Sequence, residues 1–421
     1  MDEHSARGAK HLTEEDPVAS ELLEHDAPLT GIKVLEVGHG LASPFCTMQL
    51  ADMGADVIKI EEPVGGDMVR HNGPFVDGVS SGFVRVNRNK RSIALNLKSE
   101  EGKAIFLRLA QTADIVSENM RPGVMIRLGL DFERLTKLNP RLIYVAASGW
   151  GQTGPYANLA GVDIMAQAMS GLISITGEEG RPPVKVGVPI CDLVCGLYGA
   201  LAAVSALRAR ERTGRGQYID ISLFEAGVSL SVWEASRYFA NGEIPKPLGS
   251  AHQATAPYQA VRSADGYFTI GATSPRNWAA FCRAMGLEHL VEDSRFAVVY
   301  DRYRNREELI RLIEETTQTQ PAAHWIDLLQ KAGVPCAPIQ DYSQVYNDPA
   351  LLARNYFADL PHPILGSVRV LGNPMRFSDT PVQMKFAGPL LGQHSLEVLK
   401  EIGVDEDEAR QLVDKGVVHI S

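Results

Sequence analysis

GIKVLEVGHGLASPFCTMQLADMGADVIKIE, residues 31–61, is the stretch that decides the fold. IKVLEVG (32–38) is a short apolar run closed by glycine, the pattern of a buried strand. PFCTMQLADMGA (44–55) has helical spacing, and DVIKIEEP (56–63) reads as a second strand. Strand, helix and strand within about 30 residues predict parallel strands joined by a right-handed crossover. The alternation continues outward. KSEEGKAIFLRLAQTA (98–113) predicts a helix capped by Ser99 with acids in its first turn. DIVSENM (114–120) and RLIYVAASG (141–149) predict strands, and YIDISLFEA (218–226) a strand feeding a helix. The expected fold class is α/β, with a large domain built on a Rossmann-like open sheet. No GxGxxG opens the first helix, so dinucleotide binding is not supported.

With 421 residues the chain exceeds one ordinary core. Apolar helices are expected over 164–178 and 192–212, the second being DLVCGLYGALAAVSALRARER. GEIPKPLGSAHQATAPYQ (242–259) changes the texture to a proline- and glycine-rich linker or lid. ADGYFTIGA (264–272) then predicts a turn and strand, followed by helices at about 275–286, 304–318 and 321–332. The resulting organisation is a tail over 1–28, a large domain over 29–235 and a smaller α+β domain over 236–340. A C-terminal segment over 341–421, with a strand at SVRVLG (367–372) and one charged helix around 395–415, returns to the large domain. The tail lacks the apolar centre of a secretory signal and carries acids that a mitochondrial presequence avoids. It reads as disordered, and the protein as cytoplasmic. No run of ~18 consecutive apolar residues predicts a membrane span.

Acidic residues (51) outnumber basic ones (41), giving a net charge of −10. That balance argues against nucleic acid or anionic membrane as partner, and requires a local basic pocket for any anionic ligand. NRNKRSIALNLK (87–98) supplies Arg88, Lys90, Arg91 and Lys98, and ENMRPGVMIR (118–127) supplies Arg121 and Arg127. Both clusters lie where strands give way to loops, the edge at which open sheets hold phosphates; the plainer reading is a solvated charged face. Asp192, flanked by apolar residues in VGVPICDLVCGLYGALAA, stands directly before a long helix and reads as its N-cap. There the helix dipole and amide donors would keep it ionised, the state a carboxylate nucleophile needs. Asp163, in AGVDIMAQAMSG, reads as the cap of its own helix, and Asp220 as structural. His39 and His252 are available as acid–base groups, although most of the 11 histidines must be structural. GHGLASP (38–44), SGWGQTGP (148–155) and GRGQ (214–217) can bring backbone close to a ligand. Five cysteines without a CxxC pair read as reduced thiols, with no metal site.

Together GIKVLEVGHGLASPFCTMQLADMGADVIKIE, VNRNKRSIALNLK, SENMRPGVMIRLGL, GVDIMAQAMSGLISITG and RTGRGQYIDISLFEA resemble the class III CoA-transferase family of formyl-CoA, carnitine and succinyl-CoA transferases. The resemblance implies that Asp192 is the nucleophile. It implies that Leu41 and Ala42 line the CoA site, with Leu95 and Lys98 in the next contacting segment. Asn119, Met120, Arg121 and Arg127 would hold the adenine and phosphates. It further implies a ring-like, interlocked homodimer (some relatives use a sister subunit), no permanently bound cofactor, and a CoA thioester as substrate. Succinyl-CoA is the implied donor and a dicarboxylate a fitting acceptor; the Gly249–His252 loop and Tyr156 are the candidate contacts to the acid. The related α-methylacyl-CoA racemases carry a proton-transferring histidine directly before the aspartate equivalent to Asp163. Here that place holds Val162, which cannot transfer a proton.

Overall fold

The structure, a computed structural model, describes residues 27–421, so the expected tail lies outside the described residues except for Ala27 and Pro28. β1 (Lys33–Val37) leads through α1 (Ala42–Asp52) to β2 (Asp56–Glu61). β3 (Lys90–Leu95), α2 (Glu100–Thr112), β4 (Ile115–Glu118) and β5 (Ile143–Ser148) follow. A short α3 (Asp163–Met169), the long α4 (Ile190–Thr213) and β6 (Tyr218–Ser222) complete the series. The strands lie in the order β3–β2–β1–β4–β5–β6, all parallel. This is the doubly wound order, and its switch point falls between β1 and β4.

Both sheet faces are covered, which is why the strands read as continuous apolar runs. Leu35, Ile58, Ile93, Val116 and Tyr144 pack with Ile105, Phe106 and Leu109 of α2. On the opposite face Val34, Val57, Ile115 and Val145 meet Cys46 and Leu50 of α1 and Ala203 of α4. Ser99 caps α2 as its sequence foretold, accepting from Gly102 N at 3.0 Å. β3 had no such signal, because its basic opening hides a buried strand whose charged side chains end in ion pairs.

Glycine breaks two helices that the periodicity ran together. α3 ends at Met169, and Gly171 at φ +85° starts a separate turn, Leu172–Ile175. The terminal helix is two, α5 (Ser395–Glu401) and α6 (Glu406–Asp414), with Gly403 at φ +76° between them. β7 (Val418–His419) then pairs antiparallel with β3.

The α1–α4 contact is close. A Cβ on Gly196 would stand 2.8 Å from Ala42 O, and one on Gly199 3.0 Å from Cys46 Sγ. The two helices therefore run side by side from the same edge of the sheet. α4 is long and apolar enough to cross a membrane by composition, but here it lies against α1 and β5, leaving Leu197, Tyr198 and Leu201 exposed. Gly196→Ala is expected to cost roughly 1–3 kcal/mol, because backbone rather than a flexible side chain must yield. A lower denaturation midpoint at constant slope would show this; an unchanged midpoint would mean that α4 has room beside α1.

The chain divides into two compact units. One takes in residues up to Ala166, Pro189–Gly227 and Arg354–Ser421. The other comprises Gln167–Val188 and Val228–Ala353, so 167–188, assigned by sequence to the large domain, groups with the second unit. In that unit Tyr258–Arg262, Tyr267–Gly271 and Cys336–Pro338 form an antiparallel sheet. Phe268, Trp278, Phe281 and Phe296 form its core with the helices Pro275–Met285, Arg306–Thr317 and Ala322–Lys331.

Candidate functional site

The carboxyl ends of β3, β1 and β4 bring most of the expected CoA-site residues to one edge of the sheet. Leu95 closes β3 and Lys98 follows it; Leu41 and Ala42 follow β1; Asn119, Met120, Arg121 and Arg127 follow β4. Asn119 ties the two strands of the switch point together. Its Oδ1 accepts from His39 N at 2.9 Å, and its Nδ2 donates to His39 O at 2.7 Å.

Beneath this edge lies a charged lattice that no solvent reaches. Lys59 Nζ lies 2.6 Å from Glu36 Oε1 and 2.9 Å from Asp67 Oδ2, the latter an ion pair without hydrogen-bond geometry. Lys90 Nζ lies 2.7 Å from Glu36 Oε2, and Thr47 Oγ1 donates to the same oxygen at 2.5 Å. Lys59 also donates to Gly38 O at 2.8 Å, and Asp67 Oδ1 accepts from Gly40 N at 3.2 Å. The loop carrying Leu41 is thus pinned from below through its own backbone. Burial raises the Glu36 pKa, yet Lys59 and Lys90 outweigh it and hold the carboxyl down at about 2. Burial, with Lys59 beside it, presses Lys90 down to about 8 against the pull of Glu36. Sequence reading missed this lattice, although Glu36 and Lys59 inside apolar strands were its signal: a charge there needs a buried partner.

Arg88, Lys90 and Arg91 of the first basic cluster are therefore bound up in ion pairs rather than open to a ligand or to solvent. Arg88 is buried against Asp52 at 2.6 Å, and Arg91 binds Asp56, Glu397 and Glu401 at 2.5–2.7 Å. Only Lys98, paired with Glu62 at 2.7 Å, stays largely exposed. Arg121 and Arg127 are exposed and make no ion pair among the described residues. Arg121 also lines a cavity of about 490 Å³ with Glu118, Phe132, Tyr144 and Tyr218. There burial, and then Asp220, push Glu118 up to about 8 although it accepts Met120 N at 2.6 Å.

Asp192 is not the N-cap of α4. Pro189 takes that place without a side-chain bond, and Asp192 is the third helical residue. The capping role falls to Asp163, whose Oδ1 accepts from Cys191 N at 2.9 Å and Asp192 N at 3.4 Å. Asp163, the first residue of α3, so serves as the cap of α4. The expected charge state also changes. Burial, and then the Asp163 carboxylate, push Asp192 up to about 7, so it is part protonated at neutral pH instead of firmly ionised.

Tyr156 is exposed and meets Trp150 edge-on, with ring centres 6.1 Å apart. In the second unit, Gly249 sits at φ +61° and donates to Gly177 O at 2.7 Å. His252 Nδ1 there accepts from Ala254 N at 3.1 Å, and its ring lies edge-on to Tyr258. The His252 ring is thus engaged by local backbone, whereas in His39 it is the backbone N and O that Asn119 holds. None of the five cysteines is in a disulfide, and among the described residues no three His, Cys, Asp or Glu side chains gather as a metal set.

Residues 29–395 match CoA-transferase family III. The chain belongs to that family. This family III transferase is 38% identical over 393 residues to the succinyl-CoA:glutarate CoA-transferase of Mus musculus, covering 93% of this chain and 90% of the relative. It is 40% identical over 382 residues to the acetyl-CoA:oxalate CoA-transferase of Acetobacter aceti, covering 90% of this chain and 97% of that one. Among solved structures, a CAIB/BAIF family protein from Brucella suis superposes with a TM-score of 0.80 at 39% identity, covering 90% of this chain and 100% of its own. The chain is thus a CoA-transferase, and the named relatives are transferases that pair a CoA thioester with a carboxylic acid.

Proposed function

We propose that this CoA-transferase moves CoA from succinyl-CoA to a dicarboxylate, with Asp192 as the covalent nucleophile. The observation that carries the reading is the position of Asp192. It stands in the first turn of α4, beside the sheet edge that gathers the expected CoA-site residues, with a pKa at which both carboxylate and acid are populated. The names of the relatives, which pair acyl-CoA donors with glutarate or oxalate, support the substrate class.

In this reading an Asp192 oxygen attacks the thioester carbonyl, the C–S bond breaks, and CoA leaves as thiolate from a mixed anhydride. The thiolate attacks the aspartyl carbonyl, and the donor acid leaves as carboxylate. The acceptor carboxylate then attacks the aspartyl-CoA thioester, breaking its C–S bond to give a second mixed anhydride and free thiolate. The thiolate attacks the acceptor's acyl carbonyl, and Asp192 leaves as carboxylate. Each step exchanges one anion for another, so no dedicated proton shuttle is needed. Val162, exposed and directly before Asp163, offers no group for α-proton removal and speaks against the racemase alternative. An interlocked homodimer belongs to the same reading. Exposed Leu197, Tyr198 and Leu201 on α4, and exposed Trp233 and Phe239 in the second unit, support a partner surface.

The deciding experiment offers succinyl-CoA with a panel of mono- and dicarboxylates, and separately traps the enzyme with succinyl-CoA and hydroxylamine. Transfer to dicarboxylates and a hydroxamate at position 192 are expected. Transfer confined to monocarboxylates would remove the substrate class, and trapping elsewhere would remove Asp192. Because ionised Asp192 is the reacting form, kcat/KM should rise through a midpoint near 7, falling about tenfold per pH unit well below it.

A further inference from the structure

α4 begins without a cap of its own. Pro189, at the N-cap position, has no side-chain acceptor, while amides of the first helical turn need one. The acceptor arrives from 28 residues upstream: Asp163, first residue of α3, presents Oδ1 to Cys191 N at 2.9 Å and to Asp192 N at 3.4 Å. The bond to Asp192 N fixes the backbone of the residue whose carboxyl is proposed to react. We propose that Asp163 is a positioning residue for CoA transfer, locking the first turn of α4 so that the Asp192 carboxyl is held at the carboxyl edge of the sheet. This inference rests on Asp192 being the nucleophile.

A neutral asparagine or serine would satisfy those amides equally well. A carboxylate does something more, because its charge faces Asp192 and opposes a second negative charge there. The other titratable groups nearby do not compete for this role. Cys191 and Cys195 lie on α4 itself, Cys46 faces Cys195 from α1, and Asp220 acts on Cys195 from β6. Burial raises both Cys195 and Cys46 far above neutral pH, so their thiols stay uncharged through the working range. Asp163 accordingly combines two effects that substitutions separate: acceptance of the amides, and the charge.

The test compares Asp163→Asn, which keeps an acceptor oxygen without charge, with Asp163→Ala, which keeps neither. Full-length enzymes are assayed for transfer from succinyl-CoA over pH 5–9, with thermal unfolding as a folding control. Asp163→Ala is expected to lower kcat about 10- to 100-fold while KM for the thioester changes less than about threefold. Asp163→Asn should keep kcat within about threefold of wild type at high pH and move the acid midpoint of kcat/KM down by about 0.5–1 unit. A folded Asp163→Ala with wild-type kcat, or an Asp163→Asn midpoint that stays put, overturns the proposal. If Asp192→Ala transfers CoA at the wild-type rate, the nucleophile reading has failed instead, and the two failures are told apart.

Discussion

Asp192→Ala is expected to lower kcat for CoA transfer by at least ~10³-fold, and Asp192→Asn by a similar factor. The reasoning is that a covalent route loses every step when its nucleophile goes. No neighbouring group can replace it: Cys195, one turn further along α4, is held as a neutral thiol by burial, and Asp163 has an oxygen committed to the helix amides. Succinyl-CoA should still bind, with KM or Kd changed less than about threefold, since the expected CoA contacts are elsewhere on the edge. Hydroxylamine trapping should vanish in both variants. Residual transfer within tenfold of wild type would show that CoA passes directly between acids without an aspartyl intermediate.

The same substitution carries a stability signature of opposite sign. The folded-state pKa of Asp192 is raised from 3.8 to about 7, so the protonated form suits the fold and the charged form strains it. Its contribution is therefore fully present below about pH 4 and is lost as pH rises toward 7. Asp192→Asn, permanently neutral, should be more stable than wild type at pH 8 by about 1–3 kcal/mol, allowing for partial exposure, and the advantage should disappear by pH 4. A variant that is dead yet more stable at high pH marks a carboxylate kept for chemistry rather than for folding.

How far the sequence reaches can be judged from these same residues. The β1–α1–β2 reading needed only local patterns, because apolar runs and a Ser99 cap act within a few residues. β3 escaped it because Lys90 and Arg91 look solvated until Glu36, Asp56 and two C-terminal glutamates, more than 300 residues distant in the case of Glu397 and Glu401, are brought beside them. The cap on α4 escaped for a related reason. Adjacency in sequence favoured Asp192, whereas the acceptor comes from Asp163 across 28 residues. The charge state of Asp192 followed from that error, since an N-cap would have lowered its pKa and a buried neighbour of Asp163 has it raised. Family resemblance named residues along the edge; it could not show what holds them there.

What holds them is most exposed to test at Lys59. Lys59→Met keeps length and apolar bulk but leaves the buried Asp67 carboxylate unpaired and Glu36 with Lys90 alone. Removing one partner of a buried ion pair typically costs about 3–5 kcal/mol, because the remaining charge keeps its desolvation penalty. The expected result is a loss of that size in chemical denaturation. Asp67 also accepts Gly40 N, and Lys59 donates to Gly38 O, so the loop bearing Leu41 should loosen and KM for the thioester rise several-fold. The pH dependence supplies a check with a definite sign. Glu36 has its folded pKa lowered from 4.5 to about 2, so its contribution is present above about 4.5 and is lost as pH falls toward 2. Without Lys59 that depression weakens, and the variant should lose less stability than wild type between pH 5 and 3. If Lys59→Met matches wild type in both stability and KM, the lattice contributes nothing net, as occurs when the cost of burying charges equals their attraction. A loss of stability with an unchanged KM would separate the core from the site, and would mean that Asp67 holds the loop without help from the lysine beneath it.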